Sequence, residues 1–168
     1  MHENLAFING YLSSIGILNT TVNNGMDHCI IDLGAMENDL VNTIKKGINA
    51  PNWTFKATEI SDWQKLVEDE CSFLFSNILF EIQGSSDYFS NREKRSDLAE
   101  KYNLTWQLNF FIKIIENLLS SCQFKTAYRI EVDCGSDSYN PYFAHGECNF
   151  AFQIESNKIL YLRLGAFD

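Results

Sequence analysis

Apolar residues recur at three- and four-residue steps from the start of the chain: Leu5, Ile8, Leu12 and Ile15. That spacing places them on one face of a helix over 3–15, with Gly16 as its stop. Two short β-type runs follow, 17–22 and 26–33, on either side of Asn23-Asn24-Gly25. Asn-Gly tolerates the positive φ of a tight turn, so the pattern predicts an N-terminal hairpin. Helical spacing returns over 35–47 through Met36, Leu40, Val41 and Ile44. Gly47 marks its end, and Lys45-Lys46 complement the negative end of the helix dipole. A turn at 49–52 precedes a short strand over 53–58.

The longest amphipathic segment runs over 62–83. Trp63, Leu66, Val67, Cys71, Leu74, Phe75, Ile78, Leu79 and Ile82 make a continuous stripe, with Lys65, Glu68, Asp69, Ser72, Ser76 and Asn77 opposite. Ser61 with Gln64 reads as a capping box. Glu68-Asp69-Glu70 reads as early negative charge favoured by the dipole, and Gly84 as the stop. Residues 85–103 are the most polar part of the chain and hold its one basic cluster, Arg92-Glu93-Lys94-Arg95. A second long helix is predicted over 105–120. Its apolar residues, from Trp106 to Leu119, cover most of its circumference, as in a buried central helix.

Beyond Lys125 the period changes to two. Tyr128, Ile130 and Val132 alternate with Arg129, Glu131 and Asp133. Cys148, Phe150, Phe152 and Ile154 alternate with Asn149, Ala151 and Gln153, and Leu160, Leu162 and Leu164 with Tyr161 and Arg163. Such alternation predicts strands over 126–133, 147–155 and 158–165, the last two joined as a hairpin by Glu155-Ser156-Asn157-Lys158. The fold class is therefore α+β: two long helices packed on a C-terminal antiparallel meander, with the N-terminal hairpin added. No repeat or linker divides the 168 residues, so one globular domain over 1–168 is expected.

Composition narrows function by sign. The formal charge is −9, which favours a cationic partner and disfavours nucleic acid. No stretch approaches the roughly 18 apolar residues of a membrane span. The start, Met1-His2-Glu3-Asn4-Leu5, lacks the basic and apolar pattern of a secretion signal, which points to the cytoplasm. Five cysteines, at 29, 71, 122, 134 and 148, form no CxxC pair and read as reduced thiols. The 13 Phe, 7 Tyr and 3 Trp exceed what a core of this size uses, leaving aromatics for a binding surface.

Catalytic signatures are sparse. The chain holds no GxGxxG, GxxxxGK[ST], GxSxG or HExxH. His28 beside Cys29 in a strand reads as structural. The richest stretch for chemistry is 133–148, with Asp133, Cys134, Asp137, Tyr139, Tyr142, His145, Glu147 and Cys148 between two strands. Cys134, His145 and Cys148 do not match a tetrahedral zinc motif, so neither metal nor cofactor is expected. A Cys134–His145 nucleophile pair is the enzymatic alternative, a small hydrolase or transferase. A structural or adaptor subunit is a further one.

An acidic, compact chain with spare aromatics and the closing segment Lys158-Ile-Leu-Tyr-Leu-Arg-Leu-Gly-Ala-Phe-Asp168 resembles the immunity proteins of bacterial toxin systems, the contact-dependent growth inhibition type. The resemblance implies a non-enzymatic inhibitor that covers the active site of a basic toxin domain, a nuclease in many such systems. It assigns no residues. The residues themselves point to Asp133, Asp137, Tyr139, Tyr142 and Glu147 as the partner-binding set, with Glu68 and Asp69 next. Carboxylates would steer a basic partner and aromatics would anchor it.

Overall fold

A computed structural model describes residues 2–20, 25–82, 106–133 and 146–167. Within them the chain is α+β. Four helices are α1 (His2–Thr20), α2 (Leu40–Gly47), α3 (Trp63–Ile82) and α4 (Trp106–Ser121). Five strands are β1 (Gly25–Ala35), β2 (Thr54–Ile60), β3 (Thr126–Asp133), β4 (Gly146–Ile154) and β5 (Lys158–Phe167). The strands form one antiparallel sheet in the order β1-β5-β4-β3-β2. A 3-10 turn over Glu155–Asn157 closes the β4–β5 hairpin.

The sheet is covered on both faces. On one face Phe150, Phe152, Leu160, Leu162 and Leu164 meet Leu12 and Ile15 of α1, Val67 and Phe75 of α3, and Phe111 and Ile115 of α4. Trp63 stands edge-on to Phe152 at 5.3 Å, and Phe75 stacks on Phe111 at 5.0 Å. On the other face Ile44 of α2 packs with Phe55, Ile130, Ala151, Ile159 and Tyr161. The facing of β3 is settled only by the packing. Tyr128, Ile130 and Val132 point to the α2 face, opposite to Phe150 and Leu162. A sheet buried on both sides can place an apolar row on either one.

Three N-terminal expectations are corrected. Gly16 does not end α1, which continues to Thr20. Gly16 is buried, so packing outweighs the cost of a glycine in a helix. Residues 17–20 are therefore helical, and the 17–22 with 26–33 hairpin does not form; β1 pairs with β5 instead, from Gly25–Phe167 to Ala35–Lys158. Asn23 and Asn24 lie outside the described residues. The helix expected over 35–47 begins only at Leu40. Ala35 still belongs to β1, the Met36 N–H donates to the Asn157 carbonyl at 2.8 Å, and Asp39 caps the helix by accepting from the Asn42 N–H. A bulge after Asp32 uses Gly34 at φ 78°, where a side chain would be strained. Gly47 lies against Leu33: a Cβ there would stand 2.5 Å from Leu33 Cδ2, so that side chain would have to shift.

The start of α3 is capped by Asp62, whose Oδ1 accepts from the Lys65 N–H at 3.0 Å, rather than by Ser61. Gln64 instead donates across to Glu116 of α4 at 3.2 Å. Glu68, Asp69 and Glu70 lie beyond the first turn of a helix that starts at Trp63, outside the reach of the dipole. Lys45 and Lys46 do occupy the last turn of α2. The segment 85–103, with its basic cluster, and Gly84 lie outside the described residues.

One side chain closes an edge of the sheet. Asn9 of α1 accepts from the Ile30 N–H at 2.8 Å and donates to the Ile30 carbonyl at 2.9 Å. Ile30 sits in β1, which has β5 on its other side. Asn9 thus takes the place of a further strand at the middle of that edge, where open backbone groups invite pairing with other chains. We predict that Asn9→Ala lowers unfolding free energy by about 1–3 kcal/mol, the cost of leaving part-buried backbone groups unsatisfied. Urea denaturation measures it, and an unchanged midpoint would contradict the assignment.

Tyr11 joins α1 to α4, its hydroxyl donating to the Gln107 carbonyl at 3.0 Å. Burial pushes its phenol from 10.0 up to about 12. The folded state therefore holds the proton more tightly than the unfolded one. The stability this contributes is complete below pH 10 and is lost as pH rises toward 12. Thermal melts over that window should fall less steeply for Tyr11→Phe than for the parent chain.

Candidate binding site at the end of the sheet

The β3–β4 register runs from Thr126–Gln153 to Ile130–Asn149 and stops there. Both strands go on past that point, β3 to Asp133 and β4 back to Gly146. Arg129 sits where the register ends. Its Nη1 donates to the Ile130 carbonyl at 2.7 Å and to the Asn149 carbonyl at 3.4 Å, one on each strand. Its Nε lies 2.7 Å from Glu70 Oε2 of α3, and its guanidinium lies 5.8 Å from the centre of the Phe150 ring. One side chain therefore ties β3, β4 and α3 together. The planar guanidinium suits this task because it aims several donors in different directions at once.

On the opposite face Asn149 is 2% exposed and accepts from the Tyr161 hydroxyl at 2.8 Å. Arg163 stands across from Asn149 in the β4–β5 register. Between β3 and β4 lies a hollow of about 200 Å³, lined by Arg129, Ile130, Glu131, Val132 and Asn149. Lys56 of β2 reaches both oxygens of Glu131 at 3.1 and 3.2 Å, an exposed pair on the adjacent strand. The end of the sheet thus combines mixed charge, a buried amide and a shallow apolar wall.

The expected site residues divide three ways. Asp133 closes β3 opposite Thr54 and is exposed. Glu147 lies in β4 opposite Gly165, at the same end of the sheet as Asp133. Glu68 and Asp69 are exposed on α3, two residues and one residue before the Glu70 that holds Arg129. Asp137, Tyr139 and Tyr142 lie outside the described residues, as do Cys134 and His145 of the alternative nucleophile pair. Asp133 and Glu147 thus lie in β3 and β4 toward the same end of the sheet, past the last β3–β4 pair, and Glu68 and Asp69 lie on α3. Arg129, Asn149, Tyr161 and Glu70 went unrecognised in the sequence as parts of this region. Each sits in an ordinary strand or helix pattern, and only the tertiary pairing gives it a role. His28 fits its structural reading: it is buried, and its Nδ1 accepts from the Gly165 N–H at 3.2 Å.

No family model matches the chain, and no curated protein does. It is similar to a crystal structure of citrus MAF1, with a TM-score of 0.49 and 15% identity over 98% of each chain. That degree of likeness carries no functional assignment. Among the described residues no helix is long and apolar enough to cross a membrane.

The Arg129–Glu70 pair is partly buried, its side chains 21% and 33% exposed. A fully buried pair broken on one side costs about 3–5 kcal/mol; at this exposure, solvent screening reduces the expectation to about 1–3 kcal/mol. Arg129→Met should lose that much in urea denaturation. Glu70→Gln should lose less, since an amide can still accept from the guanidinium. Equal losses within error of zero for both would show that the pair does not hold the strands.

Proposed function

We propose that this chain is an acidic protein-binding inhibitor that neutralises a basic partner domain by covering its active site, as an immunity protein does for its toxin. The observation that supports the reading most is the state of Glu68 and Asp69. Both are solvent-exposed, and neither takes an ion pair with a described residue. By contrast Glu37, Glu70, Glu116 and Glu131 are each matched by a cation of the chain itself. Unmatched carboxylates in a chain of charge −9 are available to steer and pair with external Lys and Arg. Asp133 of β3 and Glu147 of β4 are proposed as further partner-binding carboxylates, and Tyr139 and Tyr142 as aromatic anchors. The partner is a protein, with neither nucleic acid nor membrane involved, and the inhibitor works in the cytoplasm without cofactor or metal. Its two long helices and C-terminal meander act as a rigid support for this surface.

The test is capture of the partner with tagged chain in its native host, followed by growth rescue against the recovered protein. Glu68→Lys, Asp69→Lys and Asp133→Lys together should slow association about tenfold or more at low salt. The difference should shrink as salt screens it, while stability changes by no more than about 0.5 kcal/mol per site, as for exposed substitutions. A chain that recovers no protein, but turns over a small substrate in a reaction abolished by His145→Ala, would replace this reading with the hydrolase or transferase alternative.

A further inference from the structure

Two cysteines from distant parts of the sequence meet between α3 and β4. Cys71 is fully buried and Cys148 is 4% exposed. Both are reduced. The Cys148 thiol lies 3.6 Å from the carbonyl oxygen of Glu70, the residue next to Cys71, which brings the two cysteines together across the helix–strand interface. Cys122 differs, since its sulfur contacts the neighbouring Ser121 hydroxyl at 3.5 Å. A disulfide needs the two sulfurs at about 2.05 Å and the two Cα atoms about 4.4–6.8 Å apart. Both belong to the same packed core cluster, so a link between them would join elements already in contact.

We infer that Cys71 and Cys148 are a disulfide-forming pair, a modification site that covalently ties α3 to β4 when the chain is oxidised. The inference is independent of the inhibitor reading. Its chemistry needs a two-electron oxidant small enough to enter a packed interface, and a peroxide meets that need. Cys71 is fully enclosed, so the attack on peroxide is assigned to Cys148, the thiol with the small remaining exposure. The Cys148 thiolate attacks one peroxide oxygen and the O–O bond breaks. The released hydroxide takes up the proton that Cys148 gave, leaving water and a sulfenic acid. The Cys71 sulfur then attacks the sulfenic sulfur, its proton leaves with the hydroxyl as a second water, and the S–S bond forms. Two thiols and one peroxide give one disulfide and two waters.

The bond would act at a sensitive place. Cys148 directly precedes Asn149, the last β4 residue in register with β3. Cys71 directly follows Glu70, which holds Arg129. Oxidation would therefore pin the start of β4 to α3 beside the point where the sheet opens.

Peptide mapping without reductant tests this on the full chain treated with hydrogen peroxide at neutral pH and then alkylated. The expected product is a Cys71–Cys148 linked peptide as the main disulfide, reversed by dithiothreitol, with a raised melting temperature in the linked form. Cys71→Ser should abolish the link and leave Cys148 as a sulfenic or sulfinic acid. Because burial slows attack, the same reaction is repeated in urea below the unfolding midpoint, where pairing should be faster. Recovery of Cys71 and Cys148 as alkylated thiols in both conditions, or linkage of either to another cysteine in preference, would overturn the inference.

Discussion

The structure depends on the burial of β5. It lies between β1 and β4, and its side chains are covered in both directions. Leu160, Leu162 and Leu164 face α1, α3 and α4, while Ile159 and Tyr161 face α2. Every one of these side chains is 1% exposed or less. At about 1.5–3 kcal/mol for each large apolar side chain removed from water, this one strand accounts for a large part of the apolar driving force. The other elements are arranged by it. The helices of one face sit where the leucine row and the Phe150–Phe152 row of β4 are continuous, and α2 sits over Ile159 and Tyr161.

A strand so deeply placed leaves the sheet's exposed features at its margins. The β1 margin is closed at its centre by Asn9, which supplies both a donor and an acceptor to Ile30. The β3–β4 margin is held by Arg129, which reaches the carbonyls of both strands and the carboxylate of α3. Both are single polar side chains that satisfy backbone groups where the regular ladder gives out. Charge follows the same division. Cations of the chain neutralise Glu70 and Glu131 near the sheet, while Glu68 and Asp69 are exposed and take no ion pair among the described residues.

Period and spacing made the second half of the chain legible. The strand expected over 126–133 is observed as Thr126–Asp133, and the long helices begin and end within a residue or so of their apolar stripes. The N-terminal third was harder to read because its local signals are weak against packing. Gly16 looks like a stop but is buried inside a continuing helix, and Asn-Gly at 24–25 looks like a hairpin although β1 finds its partner at the far end of the chain. The facing of β3 could not be inferred either. Alternation says that neighbouring residues point opposite ways, not which way the helices lie. At the candidate site, the carboxylates stood out by their charge and loop position. Arg129, Glu70 and Asn149 did not, because their roles arise from contacts between residues tens of positions apart in the sequence.

The interior position of β5 is most directly tested by amide hydrogen exchange read by mass spectrometry. Residues 159–164, with a neighbour on each side and both faces covered, should exchange only through global unfolding, while 54–60 in the edge strand β2 should exchange faster through local opening. Exchange at 159–164 as fast as at 54–60 would place the C-terminal strand at an edge and contradict the account.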